Sequence, residues 1–115
     1  MTFVRTSFYF GCEADDPMTP TAFDTSRTPF GCPVRAMFSS DIGHWDVPDM
    51  LEVLGEAWEN VERCWLNPGD FEDFVFENAA RFYTETNPDF FAGTAVDKPV
   101  SALRERRPAT TTAAF

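Results

Sequence analysis

The stretch VRAMFSSDIGHWDVPDM, residues 34–50, shows the folding pattern of the chain most clearly. Its first five residues, 34–38, are mostly apolar and predict a short strand. The polar residues that follow include Gly43, which permits a sharp turn. Asp46 suits the N-cap of a following helix, and Pro48 suits its first turn. A strand, a turn and a helix are therefore predicted in that order.

The helix predicted after this turn is amphipathic and spans about four to five turns. Apolar residues recur at helical spacing from residue 50 to residue 65, and most glutamates of this segment fall on the other face. The apolar stripe consists of Met50, Leu51, Leu54, Ala57, Trp58, Val61 and Trp65.

A second helix is predicted to start at the NPGD sequence, residues 67–70. Asn67 can cap this helix, Pro68 fits its first position, and Asp70 complements the helix dipole. A further Asn-Pro pair at 87–88 predicts only a short turn. The expected buried stripe of the second helix consists of Phe71, Phe74, Val75, Ala79 and Phe82.

The segments on either side of these elements complete the predicted order. FVRTSFYFG at 3–11 predicts an aromatic-rich strand, and residues 16–34, with four prolines, predict a long loop. A strand-loop-strand-helix order favours parallel strands within a larger α/β sheet, because two strands alone form no stable sheet with two covered faces. Residues 93–115 are predicted to be a loosely attached, flexible tail in which SALRERR could hold a brief helix.

The charge of the chain argues against two classes of partner. The formal net charge is −10, which opposes binding to nucleic acid and to anionic membrane surfaces. No apolar run approaches the ~20 residues that span a membrane. The start of the chain lacks the long apolar core of a signal peptide. A cytoplasmic location is therefore expected.

Three cysteines, Cys12, Cys32 and Cys64, stand at wide spacings. Their odd number and the lack of a CxxC pair argue against a disulfide framework and against cysteine-ligated zinc. Reduced, structural thiols are expected. A metal or redox site built on these cysteines is the least favoured function.

Four motifs in order resemble one known family. They are Ser40-Asp41 after the second strand, Gly43-His44-Trp45-Asp46, the helix from Val47, and NAARFY at 78–83. With FYFGCEADD as the preceding strand, they resemble the C-terminal end of metal-dependent hydrolases of the amidohydrolase superfamily. The closest branch is the one related to aminocarboxymuconate-semialdehyde decarboxylase. The resemblance covers roughly residues 3–92.

The resemblance implies a (β/α)8 barrel, of which residues 1–92 would be the C-terminal portion, the last two strands and the C-terminal helices. Asp41 matches the aspartate that in this family binds or approaches a divalent metal, zinc by preference, and takes the proton of the attacking water. Bound zinc lowers the pKa of its water to about 7, so that a nearby carboxylate can accept the proton. The implied substrate is a small molecule, and amide hydrolysis, lactone hydrolysis and decarboxylation all stay open.

The chain departs from the family pattern in its histidines. The metal centre of the family uses a His-x-His of the first strand and histidines of middle strands, whereas this chain has His44 alone. About six of the eight strands are missing as well. We therefore expect a fragment, a truncated product, or a chain whose partner supplies the rest of the barrel. This chain alone is expected to bind no metal.

Within the SSDIGHWD loop, each polar side chain also has a structural interpretation. Asp41 could simply cap the turn that follows the strand. His44 could line the substrate pocket, or it could be a turn histidine bonded to its own backbone. Asp46 is interpreted as an N-cap rather than as an acid catalyst, and Trp45 as a packing residue.

Side chains outside this loop are further candidates for substrate binding. Glu13, with Asp15 and Asp16, would lie at the mouth beside the catalytic aspartate, although a solvated acidic loop is the favoured interpretation. Arg35 and Arg27 could each receive a substrate carboxylate through a bidentate guanidinium.

A second class of function is an interaction module without catalytic activity. The apolar faces are rich for so few elements, and a small acidic α/β unit could bury them by self-association. Such a module would form soluble oligomers that do not depend on metal.

Overall fold

A computed structural model of the protein describes residues 8–106. A π-helical segment, Asp73–Glu77, joins two of the helices into one longer helix, and a 3-10 turn spans Pro29–Gly31. The strands and α-helices in chain order are β1 (Phe10–Cys12), α1 (Thr19–Phe23), β2 (Ala36–Phe38), α2 (Val53–Glu62), α3 (Pro68–Glu72), α4 (Asn78–Thr86) and α5 (Asp97–Arg106).

The two strands pair in parallel, with Phe10 opposite Ala36 and Cys12 opposite Phe38. This confirms the predicted parallel arrangement. Both strands are shorter than predicted from 3–11 and 34–38, and residues 3–7 lie outside the described residues. Within 8–106 the sheet has these two strands alone, so the eight-stranded barrel stays a prediction.

Helix α2 is shorter than predicted and buries a different face. It has ten residues, and of the predicted apolar stripe only Ala57 is buried. Its other buried residues are Val53 and Asn60. Small side chains allow the helix to approach the sheet closely, because Val53 and Ala57 share a core with Ala36 and Phe74. The bulky members of the stripe remain on the outside.

The second predicted helix is observed, and it is interrupted by the π-helical segment. The backbone N–H of Asp70 donates to Asn67 Oδ1 at 2.8 Å, which confirms the predicted N-cap. Phe74 is fully buried, whereas Phe82, expected in the same stripe, is 43% exposed. Asn78 Nδ2 donates to the backbone oxygen of Ala36 at 2.9 Å and thereby fixes this helix to β2.

Residues 97–106 of the predicted tail are packed rather than loosely attached. Val100 and Leu103 of α5 are buried and pack against Ala80 of α4, with Phe76 and Phe91 around them. Leu103 follows Val100 by three residues, so both fall on one face of α5. The expectation of a flexible tail is therefore wrong for this helix, and residues 107–115 lie outside the described residues.

Replacing Leu103 with alanine is expected to lower the free energy of unfolding by about 2–5 kcal/mol, because Leu103 is buried and its loss leaves a cavity. Leu51→Ala removes the same atoms from a side chain that is 84% exposed, and serves as the control. Urea unfolding followed by circular dichroism measures both. Equal losses for the two variants would show that α5 does not depend on this contact.

Candidate functional site

The carboxyl ends of the two strands place acidic side chains at one edge of the sheet. Glu13 directly follows β1, and Asp41 comes three residues after β2. Because the strands are parallel, both ends lie at the same edge. Glu13 and Asp41 line one cavity of about 90 Å³, together with Asp46 and Glu56. The structure thus brings Glu13 beside Asp41, as expected from the sequence.

The backbone around Asp41 forms a tight turn. Asp41 itself has a φ of 51°, in the left-handed region that aspartate tolerates better than most residues. The N–H of His44 donates to the backbone oxygen of Asp41 at 3.1 Å, and Gly43 has a φ of 101°. This turn folds His44 back over the Asp41 side chain.

His44 lies between two carboxylates. Its Nδ1 is 3.2 Å from Asp41 Oδ2 and 3.1 Å from Asp46 Oδ1. The Asp46 hydrogen bond and the negative charge of Asp41 raise the pKa of His44 above its usual value. The imidazole is mostly exposed, and in its protonated form it joins the two carboxylates.

Asp46 does not cap a helix as the sequence predicted. Helix α2 begins at Val53, and no side chain caps its N-terminus. Residues 50–52 form a turn before the helix instead, and Asp49 accepts the N–H of Leu51 at 2.9 Å. Asp46 therefore belongs to the loop cluster with Asp41 and His44. The Asp-x-x-His-x-Asp spacing within one tight turn is the signal that could have indicated this.

The loop cluster provides donor atoms of the kinds that divalent metals bind. One ligand atom each from Asp41, His44 and Asp46 lies within 4.8 Å of the others. Two carboxylates and one imidazole suit zinc in composition, and a catalytic zinc site has three protein ligands. Because the His44 nitrogen faces both carboxylates, a metal ion would have to replace the proton that now joins them. The donor set fits a metal by composition, and its observed contacts are those of an ion pair.

The structure does not bring Arg35 to this site. Arg35 directly precedes β2, so it lies at the opposite end of the strand from Asp41. Its Nη1 donates to the Tyr9 hydroxyl at 2.6 Å and to Glu85 Oε1 at 3.2 Å. Burial of Tyr9 and its hydrogen bond to Glu85 raise the pKa of Tyr9 to about 12. This network joins β1, β2 and α4, and it occupies the guanidinium that was expected to receive a substrate.

Arg27 and the three cysteines are the remaining candidates from the sequence, and the structure shows the surroundings of each. Arg27 is exposed and forms an ion pair with Asp24 at 3.2 Å, beside a different cavity of about 600 Å³ that Trp65 lines as well. All three cysteines are free thiols, as expected. The Cys12 thiol is partly buried, which raises its pKa.

Because His44 is the sole histidine of the chain, its ring protons give one unambiguous NMR titration. We expect its pKa to lie above 6.5 in the folded chain and to fall towards 6.5 in Asp46→Asn. Asp49→Asn is the control, because Asp49 makes no contact with the ring that raises its pKa. An unchanged pKa in Asp46→Asn would contradict the observed contact.

The raised pKa of His44 also predicts how stability depends on pH. Protonated His44 stabilises the folded state below the ordinary value of about 6.5. That contribution is lost as the pH rises through the folded-state pKa. Asp46→Asn is therefore expected to weaken this pH dependence of urea unfolding between neutral and mildly acidic pH.

Comparison of the chain with family models, with curated proteins and with solved structures finds no match in any of the three. The resemblance to the amidohydrolase superfamily therefore rests on the motifs quoted from the sequence. Within residues 8–106, no helix has both the length and the apolar character needed to cross a bilayer.

Proposed function

We propose that this chain supplies the last two strands and the C-terminal helices of a metal-dependent hydrolase or decarboxylase barrel. The observation that carries the proposal is the position of Glu13 and Asp41, which follow adjacent parallel strands and line one cavity. In (β/α)8 enzymes the active site lies at this end of the strands. The substrate would be a small molecule bound at the mouth of the barrel.

In this proposal Asp41 is the catalytic carboxylate. A divalent ion, zinc by preference, would supply an activated water when bound in the complete enzyme. The turn at Asp41 and the 3.2 Å contact with His44 Nδ1 hold the carboxylate in one orientation. Asp41 would serve as a metal ligand and accept a proton at its carboxylate oxygen, and Glu13 would add negative charge on the neighbouring strand.

The open sheet supports the proposal independently of these side chains. Within residues 8–106, β1 and β2 pair only with each other, so neither strand has a second strand beside it. Phe10 of β1 is 48% exposed. In larger parallel sheets, by contrast, helices cover both faces, so that apolar strand residues are buried. Further strands and helices of a barrel would cover this surface.

The experiment that tests the proposal is to sequence the source DNA upstream of the Met1 codon and to measure the metal content of the resulting full polypeptide. An in-frame sequence with several strands and a His-x-His after an early strand, together with about one zinc or other divalent ion per chain, is the expected result. A stop codon directly before Met1 would contradict the proposal for a single polypeptide. In that case the barrel would have to be assembled from two chains, and the second chain would carry the metal-binding histidines. Affinity purification of this chain would then recover the second chain together with the bound metal.

A second candidate is the non-catalytic interaction module, located in the cytoplasm as the free cysteines suggest. Exposed bulky side chains on and before α2, such as Leu54 and Met50, favour it. Sedimentation equilibrium with and without a metal chelator tests this candidate. A stable oligomer that the chelator does not affect would support it, and a monomer at micromolar concentration would count against self-association.

A further inference from the structure

The cavity of about 600 Å³ beside Arg27 lies between residues 17–27 and residues 64–70. It is open to solvent, and its volume falls in the range of about 300–1,000 Å³ that small-molecule sites occupy. Phe23 and Trp65 supply aromatic rings to its lining, and polar side chains supply the rest. A cavity of this kind can hold a small ligand that has both an apolar and a polar part.

The backbone fixes the position of Trp65 at this cavity. Cys64 has a φ of 57°, and the N–H groups of Trp65 and Leu66 both donate to the backbone oxygen of Asn60, at 2.9 and 3.0 Å. These bonds end α2 and turn the chain. Leu66 is buried and anchors the segment, whereas Trp65 is 50% exposed. The ring is therefore in place before a ligand arrives, which lowers the entropy cost of binding.

The contact with Arg63 shows that the Trp65 ring accepts a cation. The Arg63 guanidinium lies over this ring, 5.1 Å from its centroid. Arg63 lines a smaller neighbouring cavity together with Trp65, but it does not line the larger one. The larger cavity therefore meets the indole on another side, and a cation bound there would contact the ring as well.

Carboxylates outnumber bases at the larger cavity. Among residues 8–106, Arg27 is the sole Lys or Arg that lines it, and it already pairs with Asp24 at 3.2 Å. Asp70 has no ion pair in the described part of the chain, and its Oδ2 accepts the Asn67 amide at 2.7 Å. Burial raises the pKa of Asp70 above its ordinary value, so a positive charge beside this carboxylate would be stabilising. An anionic ligand would be opposed by the same carboxylate.

We propose that this cavity binds a small organic cation, an amine or ammonium ion that carries an apolar group. The positive charge lies beside Asp70 and against the indole of Trp65, and the apolar group packs on Phe23. The inference does not rest on the proposed enzymatic function, since among the described residues this cavity shares none of its lining with the cavity at Asp41. Failure of either proposal leaves the other untouched.

The test is a titration of the intact, isotope-labelled chain with benzylamine, which is cationic at neutral pH, followed by NMR. The chain has three tryptophans, and Trp65→Leu identifies the Trp65 indole N–H signal by its loss. We expect benzylamine to shift this signal, with a dissociation constant on the order of 1 mM, and to leave the Trp45 signal unchanged. Raising the salt concentration should weaken binding. A Trp65 signal that does not change up to about 10 mM benzylamine would overturn the proposal.

Two variants and two matched controls locate the site. Asp70→Asn removes the charge but keeps an oxygen that can accept the Asn67 amide, and Trp65→Leu removes the ring. Each should weaken binding by about fivefold or more, measured from the backbone signals of residues 64–70. Asp89→Asn and Trp45→Leu change an exposed carboxylate and an exposed indole outside the cavity, and neither should change the affinity. Equal losses in controls and cavity variants would count against the site.

Benzyl alcohol separates the charge from the apolar contact without any variant. It has the ring of benzylamine but no charge, so it should bind at least about fivefold more weakly. Equal binding of the two compounds would mean that the cavity takes aromatic molecules regardless of charge, and would overturn the assignment of an organic cation. Tighter binding of benzoate than of benzylamine would overturn it as well, because Arg27 would then be the group that recognises the ligand.

Discussion

Replacing Phe74 with alanine is expected to lower the free energy of unfolding by about 3–5 kcal/mol. Phe74 is fully buried, and its ring meets those of Phe23 and Phe38 edge to face, with centroids 6.4 and 5.8 Å away. It thereby joins α1, β2 and the π-helical segment. Since small domains have only about 5–15 kcal/mol of stability, the variant should lose a large share of its stability.

Urea unfolding monitored by circular dichroism measures this change. Phe30→Ala is the matched control, because it removes the same atoms from a side chain that is 59% exposed. The control should change the unfolding free energy by less than about 1 kcal/mol. Equal losses in Phe74→Ala and Phe30→Ala would mean that the core lies elsewhere.

Replacing Asp41 with asparagine in the complete polypeptide is expected to lower kcat/KM by about 10²–10⁴-fold, because an amide can neither accept a proton nor carry the charge that holds a metal. Asparagine is preferred to alanine, since residue 41 has a positive φ that asparagine tolerates. In this chain alone the partner of Asp41, His44, is largely exposed. Unfolding should therefore change by less than about 1 kcal/mol.

Two further variants make this result interpretable. Asp49→Asn removes the same charge from the same loop but keeps the hydrogen bond to the Leu51 N–H, so turnover should be unchanged. Asp46→Asn shows whether both carboxylates of the loop cluster are needed. Turnover retained in the Asp41→Asn polypeptide would refute the catalytic assignment.

Local sequence signals predicted most of the order of elements, because caps and periodicity act over a few residues, but they missed α1 and the 3-10 turn within the loop predicted at 16–34. Asn67 capped its helix as expected, and the two strands were found in the predicted order and direction. The buried face of α2 was not predictable in this way. Periodicity indicated the bulky residues such as Leu54, but the close approach of the sheet selected Val53 and Ala57.

The tail shows the same limit for tertiary contacts. Helix α5 carries only two buried apolar residues, Val100 and Leu103, within a polar segment, so its periodicity is weak. Its buried face packs on Ala80 of α4, which lies well before it in the sequence. No local pattern encodes a contact of this kind.

Part of the candidate site could be predicted because parallel strands end at one edge. Glu13 and Asp41 line one cavity, as expected. Arg35 was a candidate for binding the substrate, but it precedes β2 and therefore lies at the opposite edge of the sheet. The role of Asp46 was missed because a helix start was expected earlier than Val53. Its contact with His44 depends on the tight turn at Asp41 and Gly43.

The pairing of β1 with β2 also has a kinetic consequence. Residues 13–35 separate the two strands, so the sheet can form only after this segment closes into a loop, and loop closure costs chain entropy that local helices do not lose. Helices α2 to α4 contact near neighbours in the sequence and can form sooner. We therefore expect β1, although it precedes β2 in the chain, to find its partner late, after the helices that flank the sheet have begun to pack.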